Sequence, residues 1–164
     1  MISQIKKQLS EYKIEPITKQ NFEQIFKVYD SNQDFFLLTQ GKKATIESSI
    51  GDIGAIPPSC TLGQKIYLGI WENDEVISIL DIIIGYPEET CLWIGLFLVH
   101  GSFHSKGIGS KLIQAVFKAA KEAGYTLAQL GVIENNVKGI AFWQRHGFAV
   151  TRHSGDIIVM EKKF

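Results

Sequence analysis

Apolar positions change their period several times along this chain. Near the N-terminus Ile2, Ile5, Leu9 and Tyr12 fit a helical face that can pack on the domain or on a partner. Tyr12 to Thr18 alternates weakly and predicts a strand, with Thr18 as a helix N-cap. Phe22, Ile25, Phe26 and Tyr29 follow at spacings of three and four and predict a helix. A further short helix is expected within Gly41 to Ile50. Gly51, Gly54, Pro57, Pro58 and Gly63 then break the pattern into a loop.

Three strand-like runs come next: Lys65 to Trp71, Val76 to Gly85 and Cys91 to Val99. The polar turns Glu72 to Glu75 and Tyr86 to Thr90 join them, which makes them antiparallel neighbours. The third run is apolar at nearly every position, the pattern of a central strand covered on both faces. After it the period lengthens again. Leu112, Ile113, Val116, Phe117, Ala120 and Ala123 form a helical stripe ended by Gly124. Leu127 to Ile133 reads as a strand, and Val137 to His146 as a helix with Asn136 as N-cap and Gly147 at C′. Phe148 to Arg152 and Ile157 to Glu161 close the chain as two strands. The strand–helix–strand passage from Cys91 to Ile133 requires one parallel step. The expectation is a mixed α+β sheet with helices on both faces, in a single domain over residues 1–164.

Composition narrows the classes of function. Seventeen basic residues balance seventeen acidic ones, which argues against a chain that grips nucleic acid by overall charge. The longest apolar runs are too short to span a bilayer, and the N-terminal stretch lacks the apolar core of a secretory signal. Cys60 and Cys91 stand alone and the four His are scattered, so no metal-site spacing exists. Free thiols suit a reducing cytoplasm, the expected location.

The chemistry concentrates between the third strand and the striped helix, in Val99-His-Gly-Ser-Phe-His104-Ser-Lys-Gly107-Ile-Gly109-Ser110. Glycines there let the main chain turn sharply and approach a ligand. Unpaired N–H groups at a helix start bind phosphate or another anion, with Lys106 and Lys111 adding positive charge. The order is not that of a P-loop, because Lys106 precedes the glycine pair. Nor is it a dinucleotide fingerprint, because Leu112 occupies the third glycine position.

The run Phe-His-Ser-Lys-Gly-Ile-Gly-Ser-Lys-Leu-Ile resembles the acyl-CoA-binding motif of the GCN5-related N-acetyltransferases (GNAT). A second stretch, Asn136-Val-Lys-Gly139-Ile-Ala-Phe142-Trp143 followed by Gly147-Phe148, is similar to a further motif of that family. The resemblance implies a mostly antiparallel sheet of six to seven strands, about four helices and a splayed parallel pair in the middle. It implies acetyl-CoA as co-substrate, no metal, and a primary amine of a small molecule or peptide as acceptor. No nucleic acid or membrane partner is implied, and a homodimer is a family-level possibility. By motif position, main-chain groups of Phe97, Leu98 and Val99 would pair with the pantetheine arm, with an amide near Leu98 polarising the thioester carbonyl. His104, Ser105, Lys106, Gly107, Ile108, Gly109 and Ser110 would hold the pyrophosphate. Asn136 and Trp143 would line the arm.

The departures from the family pattern bear on mechanism. Trp143 stands where many members place a Tyr acid, and indole is no usable acid. Gly95 stands where many carry a Glu base. The catalytic residues are therefore unassigned, with Asp81, Glu134, His100 and His146 as candidates. A thiolate is a tolerable leaving group without an acid, and proximity supplies much of the rate. Neither cysteine sits near the motifs, so direct attack is expected rather than a covalent enzyme intermediate. Phe35 to Leu38 can be core or acceptor-pocket wall, and Asp34, Asp81, Glu88 and Glu89 can attract a cationic amine. Two other readings stand beside transfer: a CoA-binding module with little catalysis, and a nucleotide-binding protein using the glycine loop.

Overall fold

The computed structural model describes residues 1–164. Its strands are β1 (Lys13–Pro16), β2 (Lys65–Glu72), β3 (Glu75–Ile84), β4 (Cys91–Val99), β5 (Leu127–Ile133), β6 (Ala149–Ser154) and β7 (Ile157–Lys163). They form one sheet in the order β1-β2-β3-β4-β5-β7-β6. Only β4 and β5 run parallel. Every other pair is antiparallel. The α-helices are α1 (Ile2–Gln8), α2 (Phe22–Asp30), α3 (Gln33–Gln40), α4 (Ile46–Ser49), α5 (Ile108–Glu122) and α6 (Val137–Arg145).

Alternation along the strands divides the core between the two faces of the sheet. Leu68, Ile70, Leu80, Ile82, Leu92 and Ile94 pack with Ile5 and Leu9 beside α1 and with the Leu112, Ile113 and Val116 stripe of α5. Tyr67, Trp71, Ile79 and Leu98 point the other way, onto Phe22, Ile25 and Tyr29 of α2 and Phe36 of α3.

The fold departs from expectation in two places that matter for function. There are six α-helices, five of them at stretches whose apolar spacing predicts a helix. The unpredicted one, α3, holds the run Phe35 to Leu38, whose consecutive apolar residues carry no helical period. It buries Phe36 and leaves Leu37 and Leu38 exposed.

The second departure concerns β4, which is covered on both faces only along its first half. β5 pairs with Cys91 to Ile94 and then diverges. Beyond that point Gly95 is exposed and Leu96 and Phe97 are half-buried. The apolar character of this half belongs to the wall of a cleft. A bulge marks the parting: Asp81 lies opposite Leu96 and Ile82 opposite Ile94, so Gly95 has no partner on β3.

Candidate active site

A cleft of about 690 Å³ opens where β4 and β5 part. Ten of the twelve residues assigned to the acyl-CoA site line it: Phe97, Leu98, Val99, His104, Ser105, Gly107, Gly109, Ser110, Asn136 and Trp143. The other two lie outside the lining. The Lys106 ammonium sits 5.5 Å over the ring of Phe103. Ile108 packs against the core.

Strand geometry decides which main-chain groups face the gap. His100 N–H donates to Ile77 O at 2.8 Å. Residues two apart on a strand point the same way, so Leu98 also presents its amide to β3, opposite Ile79. Phe97 and Val99 present theirs to the gap. The Val99 carbonyl is already occupied, accepting from Asn32 Nδ2 at 2.9 Å and His104 Nε2 at 2.8 Å. Phe97 N–H, Phe97 C=O and Val99 N–H therefore remain for an extended ligand. The expected amide near Leu98 is one of its two neighbours.

The far end of the cleft is the start of α5. Gly107 takes φ 78°, a left-handed conformation natural to glycine. It turns the chain into a fifteen-residue helix that has no side-chain cap. The first intrahelical bond runs from Lys111 N–H to Gly107 O. The amides of Ile108, Gly109 and Ser110 are thus unpaired, and the helix dipole adds to their pull on an anion. Of the lysines expected to assist, Lys111 is held elsewhere. Lys111 Nζ is 2.9 Å from Glu11 Oε1 and 3.0 Å from Tyr12 Oη. The cations that do line the cleft are Lys138 and Arg145 on α6. Their spacing of seven residues places them on one helix face, a signal the sequence carried. Phe35, Asn32 and Phe142 also line the cleft without having been assigned to the acyl-CoA site.

Asn136 caps α6, its Oδ1 accepting from Gly139 N–H at 2.9 Å. This contact explains why position 139 is glycine. A Cβ there would lie 2.5 Å from Asn136 Nδ2 and 2.8 Å from its Cγ. Gly139→Ala is expected to trade about 1 kcal/mol of helix propensity against loss of a cap worth about the same. Its Tm should stay within a few degrees of the wild type, and a gain matching the full propensity term would refute the clash. Trp143 is only 8% exposed and packs against Phe97, Phe142 and Phe148, so it is wall and core together.

None of the four acid–base candidates is among the lining residues. His146 Nδ1 donates to Phe142 O at 2.8 Å, an anchor within α6. His100 accepts from Ser102 N–H at the end of β4. Asp81 differs, because it stands directly behind Gly95. A Cβ on Gly95 would lie 3.1 Å from Asp81 Oδ2. Asp81 is paired with Lys65 at 2.6 Å, and both side chains are largely buried. Burial pushes its carboxyl above the ordinary range, against the downward pull of Lys65. Beside this pair Tyr29 donates to Asp52 at 2.8 Å and meets the hydroxyl of Tyr67.

Cys91 is buried, and its thiol is pushed up to about 12, chiefly by burial. Such a thiol is a poor nucleophile. No cluster of three or more His, Cys, Asp or Glu side chains is poised to hold a metal, and no helix is long and apolar enough to cross a membrane.

A family profile described as the acetyltransferase (GNAT) family matches residues 25–148. No curated protein matches the chain. Solved structures share its architecture. An acetyltransferase of Thermus thermophilus superposes with a TM-score of 0.79 at 20% identity, covering 93% of this chain and 97% of that one. The PaiA N-acetyltransferase of Thermoplasma acidophilum, solved with coenzyme A, gives 0.72 at 20% identity, covering 93% and 99%. The ribosomal-protein-S18-alanine N-acetyltransferase of Escherichia coli gives 0.67 at 10% identity, covering 93% of each chain.

Proposed function

The chain belongs to the GNAT acetyltransferase family, and on that premise we propose that it transfers acetyl from acetyl-CoA to a primary amine by direct attack. One observation carries the reading. A free strand edge and an uncapped helix start open into the same cleft. An acyl-CoA needs both: an extended amide-bearing arm pairs with a strand edge, and a pyrophosphate needs converging N–H groups. Phe97 and Val99 offer the edge, and Ile108, Gly109 and Ser110 the amides. Lys138 and Arg145 line the same cleft and would add positive charge there. The thioester would lie near Gly95 to Phe97, with a gap-facing amide donating to its carbonyl. Phe35 would form part of the acceptor wall.

Calorimetry with acetyl-CoA, followed by thiol release with a panel of alkylamines, amino-acid amides and short peptides, tests the reading. One-to-one binding and amine-dependent thiol release are expected. Tight binding with no thiol release would favour the CoA-binding module. Thermal protection by ATP where CoA gives none would favour the nucleotide reading.

His104 gives a second prediction. Its ring holds the Val99 carbonyl rather than extending freely toward a phosphate. His104→Gln preserves a donor and should leave acetyl-CoA affinity within a fewfold, whereas His104→Leu frees that carbonyl and should weaken binding about tenfold. Equal affinities for the two variants would show that the bond to Val99 is immaterial.

A further inference from the structure

We propose that Asp81 is the general base, reached from the cleft through the opening that Gly95 leaves in β4. The inference rests on the acyl-transfer reading above and goes beyond it by assigning the proton acceptor.

Three observations meet at this point. Gly95 is the bulged residue where β4 leaves β5, it is exposed, and it lines the cleft. Asp81 on the neighbouring strand directs its carboxylate at the space a Gly95 side chain would fill, 3.1 Å from an ideal Cβ. Any larger residue at 95 would close that space, so glycine is what connects the carboxylate with the cleft. Finally, Asp81 has capacity to spare. Oδ2 accepts from Lys65, while Oδ1 is buried with no hydrogen-bond partner at all. A buried acceptor without a donor is costly and uncommon. The oxygen nearest the Gly95 opening is Oδ2, and a carboxylate oxygen that holds one Lys65 proton can still accept a second donor, a water or an attacking amine entering there.

Lys65 fixes the carboxylate. It also donates to Ala55 O at 2.8 Å and lies 5.1 Å over the Tyr67 ring, so its position is set from three sides. The charged and titratable groups around Asp81 are Lys65, Asp52, Tyr29 and Tyr67. Both tyrosines are pushed well up by burial and stay protonated. Asp52 is the only other carboxylate in the group, and it is also raised by burial. A raised carboxyl is a better base than a free one.

The step balances as follows. The neutral amine attacks the thioester carbon, forming C–N and giving nitrogen a positive charge. Asp81 takes one proton from that nitrogen, directly or through one water. The C–S bond breaks, the electron pair leaves on sulfur, and the thiolate is protonated from solvent. Asp81 returns its proton to solvent.

The test compares wild type, Gly95→Val and the charge-neutral pair Lys65→Met/Asp81→Asn, using the best amine of the panel. The pair avoids leaving one buried charge alone, and Gly95→Val fills the opening, presses on Asp81 Oδ2 and should lower kcat/KM as the pair does. Both variants should fold by circular dichroism. The pair should bind acetyl-CoA as the wild type does and lose about 10²–10⁴-fold in kcat/KM. The pH profile separates base from scaffold. On the acid side of the Asp81 titration, log kcat/KM should rise with slope two in the wild type, one proton from the amine and one from Asp81. In the pair it should rise with slope one, a change that a merely structural role would not produce. Unchanged slope and rate in the pair would overturn the assignment of Asp81 while leaving acyl transfer intact. Absence of thiol release from the wild type with every amine would overturn the acyl-transfer reading and this inference with it.

Discussion

Gly109→Asp is expected to lower acetyl-CoA affinity at least about a hundredfold while leaving the protein as stable as before, or more so. The two effects have opposite signs because they come from the same place. Gly109 is the second residue of α5, where unpaired amides and the positive end of the helix dipole meet. A carboxylate there satisfies the helix and adds roughly 0.3–1 kcal/mol. That raises Tm by about 1–4 °C in a protein of this size. The site has room: a Cβ would stand 3.4 Å from Val99 Cγ2 and 3.5 Å from Phe142 Cε2, ordinary contact distances. The same carboxylate competes for the amides that a pyrophosphate would use. Two like charges about 4 Å apart repel by about 4 kcal/mol near a protein surface. Screening reduces this, which leaves about two orders of magnitude in affinity. Gly109→Asn has the shape without the charge and should fall between. Calorimetry with acetyl-CoA and thermal unfolding read the two effects separately. Wild-type affinity in the Asp variant would mean that the phosphates do not sit at the start of α5.

Most of the strand order was legible because each strand carries its own pattern and its own punctuation. Leu127 to Ile133 and the capped helix after Asn136 fall at their predicted starts. The parallel step between β4 and β5 followed from one intervening helix. The illegible parts have common causes. α3 was hidden because Phe35 to Leu38 has no period, although Gly41 at its end takes the left-handed φ of a C-cap. The cleft wall in β4 reads as covered core because apolar lining and apolar core look alike in one strand. Only the point where β5 diverges separates them, and that is a relation between two strands. The charges at the cleft are hard to read in the sequence for a similar reason. Lys111 is adjacent to the glycine turn in sequence, but Glu11 and Tyr12 hold it on the opposite side of α5. Asp81 was one of several carboxylates in the sequence. Its distinction appears only in the register that sets it behind Gly95.

Lys65→Met is expected to be the most destabilising single change near the cleft, and its cost should depend on pH. Lys65 and Asp81 form an ion pair with side chains only 3% and 12% exposed. Removing one partner of such a pair costs about 3–5 kcal/mol, because the remaining charge is buried without compensation. In a protein of this size that is a fall in Tm of roughly 6–20 °C. The pH dependence follows from the stranded carboxylate. Burial already raises Asp81 above its unfolded value, with Lys65 opposing the shift. Without Lys65 the folded-state value rises further. A raised carboxyl means that the folded state holds its proton more tightly than the unfolded chain does. Stability from that proton is present at low pH and is lost as pH climbs through the folded value. The deficit of Lys65→Met should therefore be larger at mildly alkaline pH than at mildly acidic pH, where Asp81 becomes neutral. Adding Asp81→Asn removes the stranded charge and should recover most of the loss. About 1 kcal/mol should remain, from the lost bond to Ala55 O and the lost stacking over Tyr67. Urea unfolding of the single and double variants at both pH values measures each quantity. A deficit that is the same at the two pH values, or a double variant no more stable than the single, would mean that Asp81 is not held ionised by Lys65. The carboxylate behind Gly95 would then be neutral at working pH and could not take a proton from the attacking amine.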